Sequence, residues 1–235
     1  MEKTRRVMLK LSGEALAGEK HTGFDEATVR EVAREVKASY DAGVQIAIVI
    51  GGGNFWRGRS SKAFDRVKAD QIGMLATVMN CIYVSEIFRG EGMKTAVYSA
   101  FEIPGIAPIF DKDRVMDSLE TGHVVFFAGG TGHPYFSTDS GIALRAIEIE
   151  ADCILLAKAV DGVYDSDPAK NPNAKKFDKL SIEEVVEKKL QVIDLTASIL
   201  CMENHMPLSV FSLNEKGAIT DALNGIIHGT VITAE

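Results

Sequence analysis

Two stretches of this chain run strand-like sequence straight into glycines, and both could hold an anion. In VQIAIVIGGGNFWRGR, residues 44–59, the run Ile46 to Ile50 is β-branched apart from Ala47. Five apolar residues in a row leave no polar face for an amphipathic helix, so the run reads as a strand buried on both sides. Gly51, Gly52 and Gly53 follow. Without Cβ atoms, their backbone N–H groups can approach a bulky, electron-rich group such as a phosphate. Arg57 and Arg59 add permanent positive charge beside them. A glycine triplet can equally be a plain strand-ending turn, but the device recurs in VVFFAGGTGHPYFSTD, residues 124–139. There Ser137, Thr138 and Asp139 would cap a helix over 140–150, aiming its free N–H groups and positive dipole end at the space the glycines face.

Three further polar residues stand where chemistry is possible. Lys10 interrupts the apolar run RVMLKL ahead of Ser12 and Gly13. It either faces solvent on an edge strand or sits at a strand's C-terminal end, where open α/β sheets place ligands. Asp70 falls in the first turn of a long apolar helix. Its carboxylate either complements the helix dipole or grips sugar hydroxyls. His133, beside Pro134 in a tight turn, has no paired acid to orient it and reads more simply as a loop residue. Cationic residues, two glycine-rich turns and loop carboxylates together suit phosphoryl transfer, which depends on positioning and neutralised oxygens. No GxxxxGK[ST], GxSxG or HExxH occurs, and no GxGxxG opens a helix after a strand.

The elements that must position these residues alternate. A strand at the N-terminus is followed by a helix capped by Asp25, with Val29, Val32, Ala33, Val36 and Tyr40 at helical spacing until Gly43. The chain then enters the strand before the first glycines, a parallel crossover. A helix over 66–89 is apolar nearly all round and predicts a subunit interface. Strands are expected at 95–98 and 106–109, a helix over 111–119, and a strand at CILLA. A long polar loop over 158–177 reads as a binding loop. Helices at 181–188 and 195–203, strand LSVFSL, a helix at 216–224 and strand TVIT complete the chain.

With 235 residues, 46% of them hydrophobic, a sizeable core needs no staples. Cys81, Cys153 and Cys201 lie apart in apolar surroundings, which fits neither disulfides nor zinc and points to a reducing compartment. No apolar stretch is expected to reach the ~20 residues of a membrane span, so a cytoplasmic protein is expected. A net charge of −7 argues against a general nucleic-acid surface.

The blocks KLSGEAL at 10–16, VIGGGNFWRG at 49–58, GMLATVMN at 73–80, TGHPYFSTD at 131–139 and VDGVYDSDP at 160–168 span essentially the whole chain. Together they resemble the bacterial uridylate kinases of the amino acid kinase family. The resemblance implies a three-layer α/β/α sandwich with a central, mostly parallel sheet, continuous over 1–235. Its UMP-binding part would cover about 1–150 and its ATP-binding part about 151–235. The implied reaction moves the γ-phosphoryl group of Mg-ATP to UMP in pyrimidine nucleotide synthesis. By position, Lys10, Leu11, Ser12, Gly13, Gly53 and Arg57 match the ATP phosphate side. Tyr164 and Asp167 match the nucleoside end, with Lys158 beside it. Gly52, Asp70 and the run Thr131, Gly132, His133, Pro134, Tyr135, Phe136, Ser137 and Thr138 match UMP-binding positions, Asp70 taking the ribose hydroxyls. Asp139 would orient Lys10 or bear on the metal, and Lys10, Arg57 and Asp139 form the implied catalytic set. No side chain is assigned as a direct Mg2+ ligand.

Two positions depart from the family: His133 stands where asparagine is common, and Lys158 where threonine or asparagine is usual. The resemblance also implies a homohexamer built as a trimer of dimers, with GTP activation and UTP inhibition as possible regulation. The segment GEKHTG at 18–23 differs from the region tied to GTP activation in relatives. Two alternatives stand beside this reading. One is a kinase of the same family forming an acyl phosphate on a small carboxylate. The other is a non-catalytic oxyanion-binding protein on the same fold.

Overall fold

The structure, a computed structural model, describes residues 5–56, 64–190 and 192–234. In chain order the elements are β1 (Arg6–Leu11), α1 (Gly13–Leu16) with a 3-10 turn at Gly18–Lys20, α2 (Glu26–Asp41), β2 (Gln45–Ile50), α3 (Arg66–Gly90), β3 (Lys94–Ser99), α4 (Lys112–Glu120), β4 (His123–Ala128), α5 (Thr138–Glu148) and β5 (Cys153–Lys158). Then come β6 (Val163–Tyr164), β7 (Lys176–Phe177), β8 (Lys179–Ser181), α6 (Ile182–Glu187), α7 (Leu195–Glu203), β9 (Leu208–Ser212), α8 (Ala218–Leu223) and β10 (Gly229–Thr233).

Among the described residues one sheet runs in the order β3-β4-β2-β1-β5-β9-β10-β8, parallel except where β10 meets β9. The apolar run before the first glycines is β2, and its two faces enter different cores. Ile46, Ile48 and Ile50 pack with Val29, Val36, Val84 and Phe88 of α2 and α3. Ala47 and Val49 pack with Ile142, Ala143 and Ala146 of α5. Burial on both sides is why this strand carries no polar alternation. Helices α2, α3 and α8 cover one face, and α4 to α7 cover the other, as the three-layer expectation required.

The strand order reverses beside β1. The chain lays β2 and β4 to one side of it and β5 and β9 to the other, so the β1/β5 boundary is a topological switch point. Such sheets bind ligands outside the carboxyl ends of the strands at that boundary. Lys10 and Lys158 both stand there, at the ends of β1 and β5.

Several sequence expectations are corrected. Residues 106–109 form no strand: Gly105 turns with φ +74°, and Pro104 and Pro108 cannot donate to a ladder, leaving single bridges Ser99 to Ile109 and Ile103 to Ala107. The loop over 158–177 carries a small antiparallel pair, β6 with β7, which the turn-rich composition hid. Helix α3, 25 residues long, meets the length and hydropathy of a membrane span, against the expectation that no stretch does. Here one side of it, through Val78, Cys81, Val84 and Phe88, lies in the core beneath the sheet. Cys81 and Cys201 are fully buried, and burial raises both thiols, that of Cys201 up to about 12.

Candidate active site

Four strand ends and two helix starts converge on the carboxyl side of the sheet. The first glycine turn is pinned from two sides, by β1 and by α3. The Gly51 N–H donates to the Leu11 carbonyl at 3.1 Å, and Asn80 Nδ2 of α3 donates to the Gly51 carbonyl at 2.7 Å. The amides of Asn54 and Asn80, both buried, bond reciprocally at 3.0 and 2.8 Å. The glycines here serve close approach. A Cβ on Gly13 would sit 2.2 Å from the Gly51 carbonyl oxygen, one on Gly52 2.9 Å from the Gly73 carbonyl oxygen, and one on Gly53 2.5 Å from Glu14 Oε1. The Ser12–Gly13 and Gly51–Gly53 turns therefore touch backbone to backbone, and the Thr138 hydroxyl of α5 lies 3.9 Å from where a Gly51 Cβ would be.

The second turn uses glycine for its conformation. Gly129, Gly130 and Gly132 hold φ of +80°, +59° and +79°, in the left-handed region that side chains avoid. The Gly129 N–H donates to Thr77 Oγ1 at 2.8 Å, tying this turn to α3. Ser137 is the cap of α5, its Oγ accepting from the Asp139 and Ser140 N–H groups at 3.0 and 3.4 Å. Tyr135 holds φ +72°, and its N–H donates to Asp70 Oδ2 at 2.7 Å. The same oxygen accepts from Arg66 Nε at 2.8 Å, so Oδ1 is the oxygen left to a ligand hydroxyl among the described residues. A cleft of about 140 Å3 lies here, lined in part by Gly52, Trp56, Asp70, Thr77, Thr131 and Thr138. His133 is exposed at its rim, with Nδ1 3.1 Å from the Thr131 carbonyl, as a loop residue would be.

The charged centre lies beside this cleft. Lys10 shares the α5-facing side of β1 with Met8, and its amine is paired with Asp139 in the first turn of α5. The edge-strand alternative fails because β1 is flanked by β2 and β5. The side chains of Lys10 and Asp139 are only 17% and 20% exposed, so solvent screens the pair poorly. Lys158 Nζ donates to the Val192 carbonyl. Burial lowers the Lys158 pKa below the usual lysine range; the Asp139 charge opposes that shift and the Lys10 charge adds to it.

A third region, about 410 Å3, lies beyond Lys158 and is lined by Val160, Tyr164, Asp167, Leu190 and Val192 among others. Tyr164 donates its hydroxyl to Asp161 at 2.6 Å, and Asp167 Oδ1 accepts the Ala169 N–H at 3.0 Å. Lys158 thus lies on the wall shared by the cavity of Tyr164 and Asp167 and the space lined by Asp139 and Asp194. The Leu11 side chain is fully buried in the core, leaving only its backbone to a ligand. Arg57 and Arg59 lie outside the described residues.

Sequence reasoning missed Trp56, Thr77 and Asp194. Asp194 had a signal, since an aspartate three residues ahead of Ala197 is a cap pattern, but nothing in the sequence joins it to α5. Among the described residues no three metal-ligating side chains cluster.

The amino acid kinase family model matches residues 5–212. The UMP kinase of Bacillus anthracis is similar at 35% identity and a TM-score of 0.94, over 98% of this chain and 96% of that one. The UMP kinase of Ureaplasma parvum gives 34% and 0.93, over 98% and 99%. The uridylate kinase of Archaeoglobus fulgidus gives 28% and 0.71, over 97% and 99%. Turn contacts, the Lys10–Asp139 pair and whole-chain similarity agree: the chain belongs to the amino acid kinase family, on its UMP kinase branch.

Proposed function

We propose that this protein transfers the γ-phosphoryl group of ATP to UMP, giving UDP and ADP, in pyrimidine nucleotide synthesis. The observation that carries the reading is continuity. The cleft holding Asp70 ends at Ser137 and Thr138, Asp139 follows with Lys10, and Lys158 borders the cavity of Tyr164 and Asp167. In this reading UMP occupies the first, with Asp70 Oδ1 on a ribose hydroxyl, and ATP the last. A UMP phosphate oxygen attacks the γ-phosphorus as the bond from that phosphorus to the β–γ bridging oxygen breaks, and ADP leaves with the electron pair. The attacking phosphate is already an anion near neutral pH, its second pKa being about 6, so no general base is needed. Lys10, held by Asp139, stabilises charge on the equatorial oxygens, and Arg57 is proposed to join it. Mg2+ would enter as Mg-ATP, carried chiefly by the phosphate oxygens with Asp139 the nearby carboxylate, and would supply further charge neutralisation.

Assembly and regulation belong to the same proposal. Ile72, Leu75, Met79 and Ile82 form an exposed apolar stripe along α3, which supports pairing with a second copy and, by family resemblance, a hexamer. GTP activation, UTP inhibition and a cytoplasmic location are proposed from that resemblance too. The acyl-phosphate and non-catalytic alternatives are not favoured by relatives that are UMP kinases at 34–35% identity. ADP release measured with UMP, CMP, dUMP, AMP and carbamate tests the reading. UMP should lead, and dUMP should lose about 1–3 kcal/mol of transition-state stabilisation because Asp70 is left partly unpaired. Carbamate turning over faster than UMP would sink the substrate assignment.

A further inference from the structure

A capping carboxylate ordinarily serves its own helix, and Asp194 does so for α7, Oδ1 accepting the Ala197 N–H at 2.9 Å. The same carboxylate also accepts the Ser137 hydroxyl, and lies 3.2 Å from the Ser140 hydroxyl through each oxygen. With its hydrogen committed to Asp194, the Ser137 hydroxyl presents lone pairs to the Asp139 and Ser140 N–H groups. One carboxylate therefore ties together the starts of two helices 54 to 57 residues apart in sequence. Two residues upstream, the Val192 carbonyl takes the Lys158 amine, which connects the same turn to β5.

A serine assigned by position to UMP is, in this geometry, a strut: its hydroxyl spans Asp194 and the first turn of α5, and Asp139 of that turn holds Lys10. We infer that Asp194 is a positioning residue that acts through Ser137 to hold the acceptor-side turn and Asp139 in register with Lys10. The inference rests on the proposed phosphoryl transfer for its kinetic consequence only. Aspartate suits the task where a simple cap would not, because two oxygens must meet three donors from two helices.

The test is Asp194→Asn, which keeps the volume and one acceptor for Ala197 but loses the charge and the second acceptor oxygen. In the ligand-free protein, amide exchange at Asp139 and Ser140 should accelerate while exchange at Ala197 stays near wild type. A purely local cap would leave exchange at Asp139 and Ser140 unchanged. With substrates, kcat should fall about 10- to 100-fold, the scale of a small misplacement of reacting groups, with KM for ATP within about twofold. Ser137→Ala should give a similar loss, and the double variant should be no worse than either single one, since both break one strut. Unchanged exchange at Asp139 and Ser140, or multiplying losses in the double variant, would overturn the inference. A wild-type protein inert toward UMP would overturn the substrate reading, and the exchange measurement would still decide the strut.

Discussion

Lys10 shows how one residue changes meaning with its surroundings. A lysine between Leu9 and Leu11 is unremarkable on an edge strand, but β1 is an interior strand and its amine meets Asp139 at the start of α5. Partial burial costs a lone ammonium several kcal/mol, and the carboxylate offsets that cost while aiming the charge at the strand ends. If Lys10 acts on charge that develops in transfer, Lys10→Ala lowers kcat by about 10²–10³, or ~3–4 kcal/mol, with a smaller change in KM. Steady-state kinetics on a variant with native circular dichroism checks this. A near-normal kcat would make the lysine a structural partner of Asp139 and nothing more.

At the scale of elements, the glycine turns act through packing as much as through ligand approach. The Ser12–Gly13 turn and the Gly51–Gly53 turn are so close that a methyl group on Gly13 meets the Gly51 carbonyl oxygen at 2.2 Å and Asn54 Oδ1 at 2.6 Å. The first obstacle is backbone, which cannot rotate away. Gly13→Ala should therefore destabilise by about 1–3 kcal/mol or more, read as a lower urea midpoint, and should weaken ATP binding as the two turns separate.

Lys158 gives a pH dependence at the same scale. Its folded pKa lies below 10.5 because burial disfavours the ammonium, so between those values the unfolded chain holds the extra proton. Stability from this residue therefore rises with pH across that window, and its penalty is fully present below it. Lys158→Met removes the titration, so the wild type should gain stability relative to the variant from neutral pH toward pH 10.5. Unfolding midpoints of both proteins across that range are the measurement, and a constant difference would contradict the burial argument.

For the whole molecule, α3 faces two environments. Val78, Cys81, Val84 and Phe88 lie in the core, whereas Leu75, Met79 and Ile82 are 54%, 46% and 42% exposed, spaced 4 and 3 residues apart on one outer face. An apolar stripe at that spacing is what an antiparallel or parallel helix partner covers. Leu75→Glu combined with Met79→Glu should shift the protein to a smaller species in light scattering, with folding retained because neither side chain is in the core. A wild type that is monomeric at micromolar concentration would remove the premise.

The strands, crossover helices and caps were legible in the chain because they rest on local rules: buried β-branched runs, helical spacing ended by Gly43, and the Asp25 and Ser137 caps, which bond Thr28 and the first turn of α5. Of the candidate site residues, Lys10 and Lys158 stand at strand ends, Gly52, Gly53 and the 131–137 run lie in glycine-rich turns, and Asp70 and Asp139 lie near the starts of α3 and α5; these were reachable because such places announce themselves by composition. Pairings between distant segments were not. Nothing local says that Lys10 meets Asp139 across 129 residues, that Asn54 and Asn80 lock a turn to α3, or that Asp194 binds Ser137. Strand order decides those contacts, since the reversal beside β1 alone brings Lys10, Lys158 and the start of α5 to one place. Local propensity sets which residues turn and which extend, but only tertiary packing sets which turns face each other.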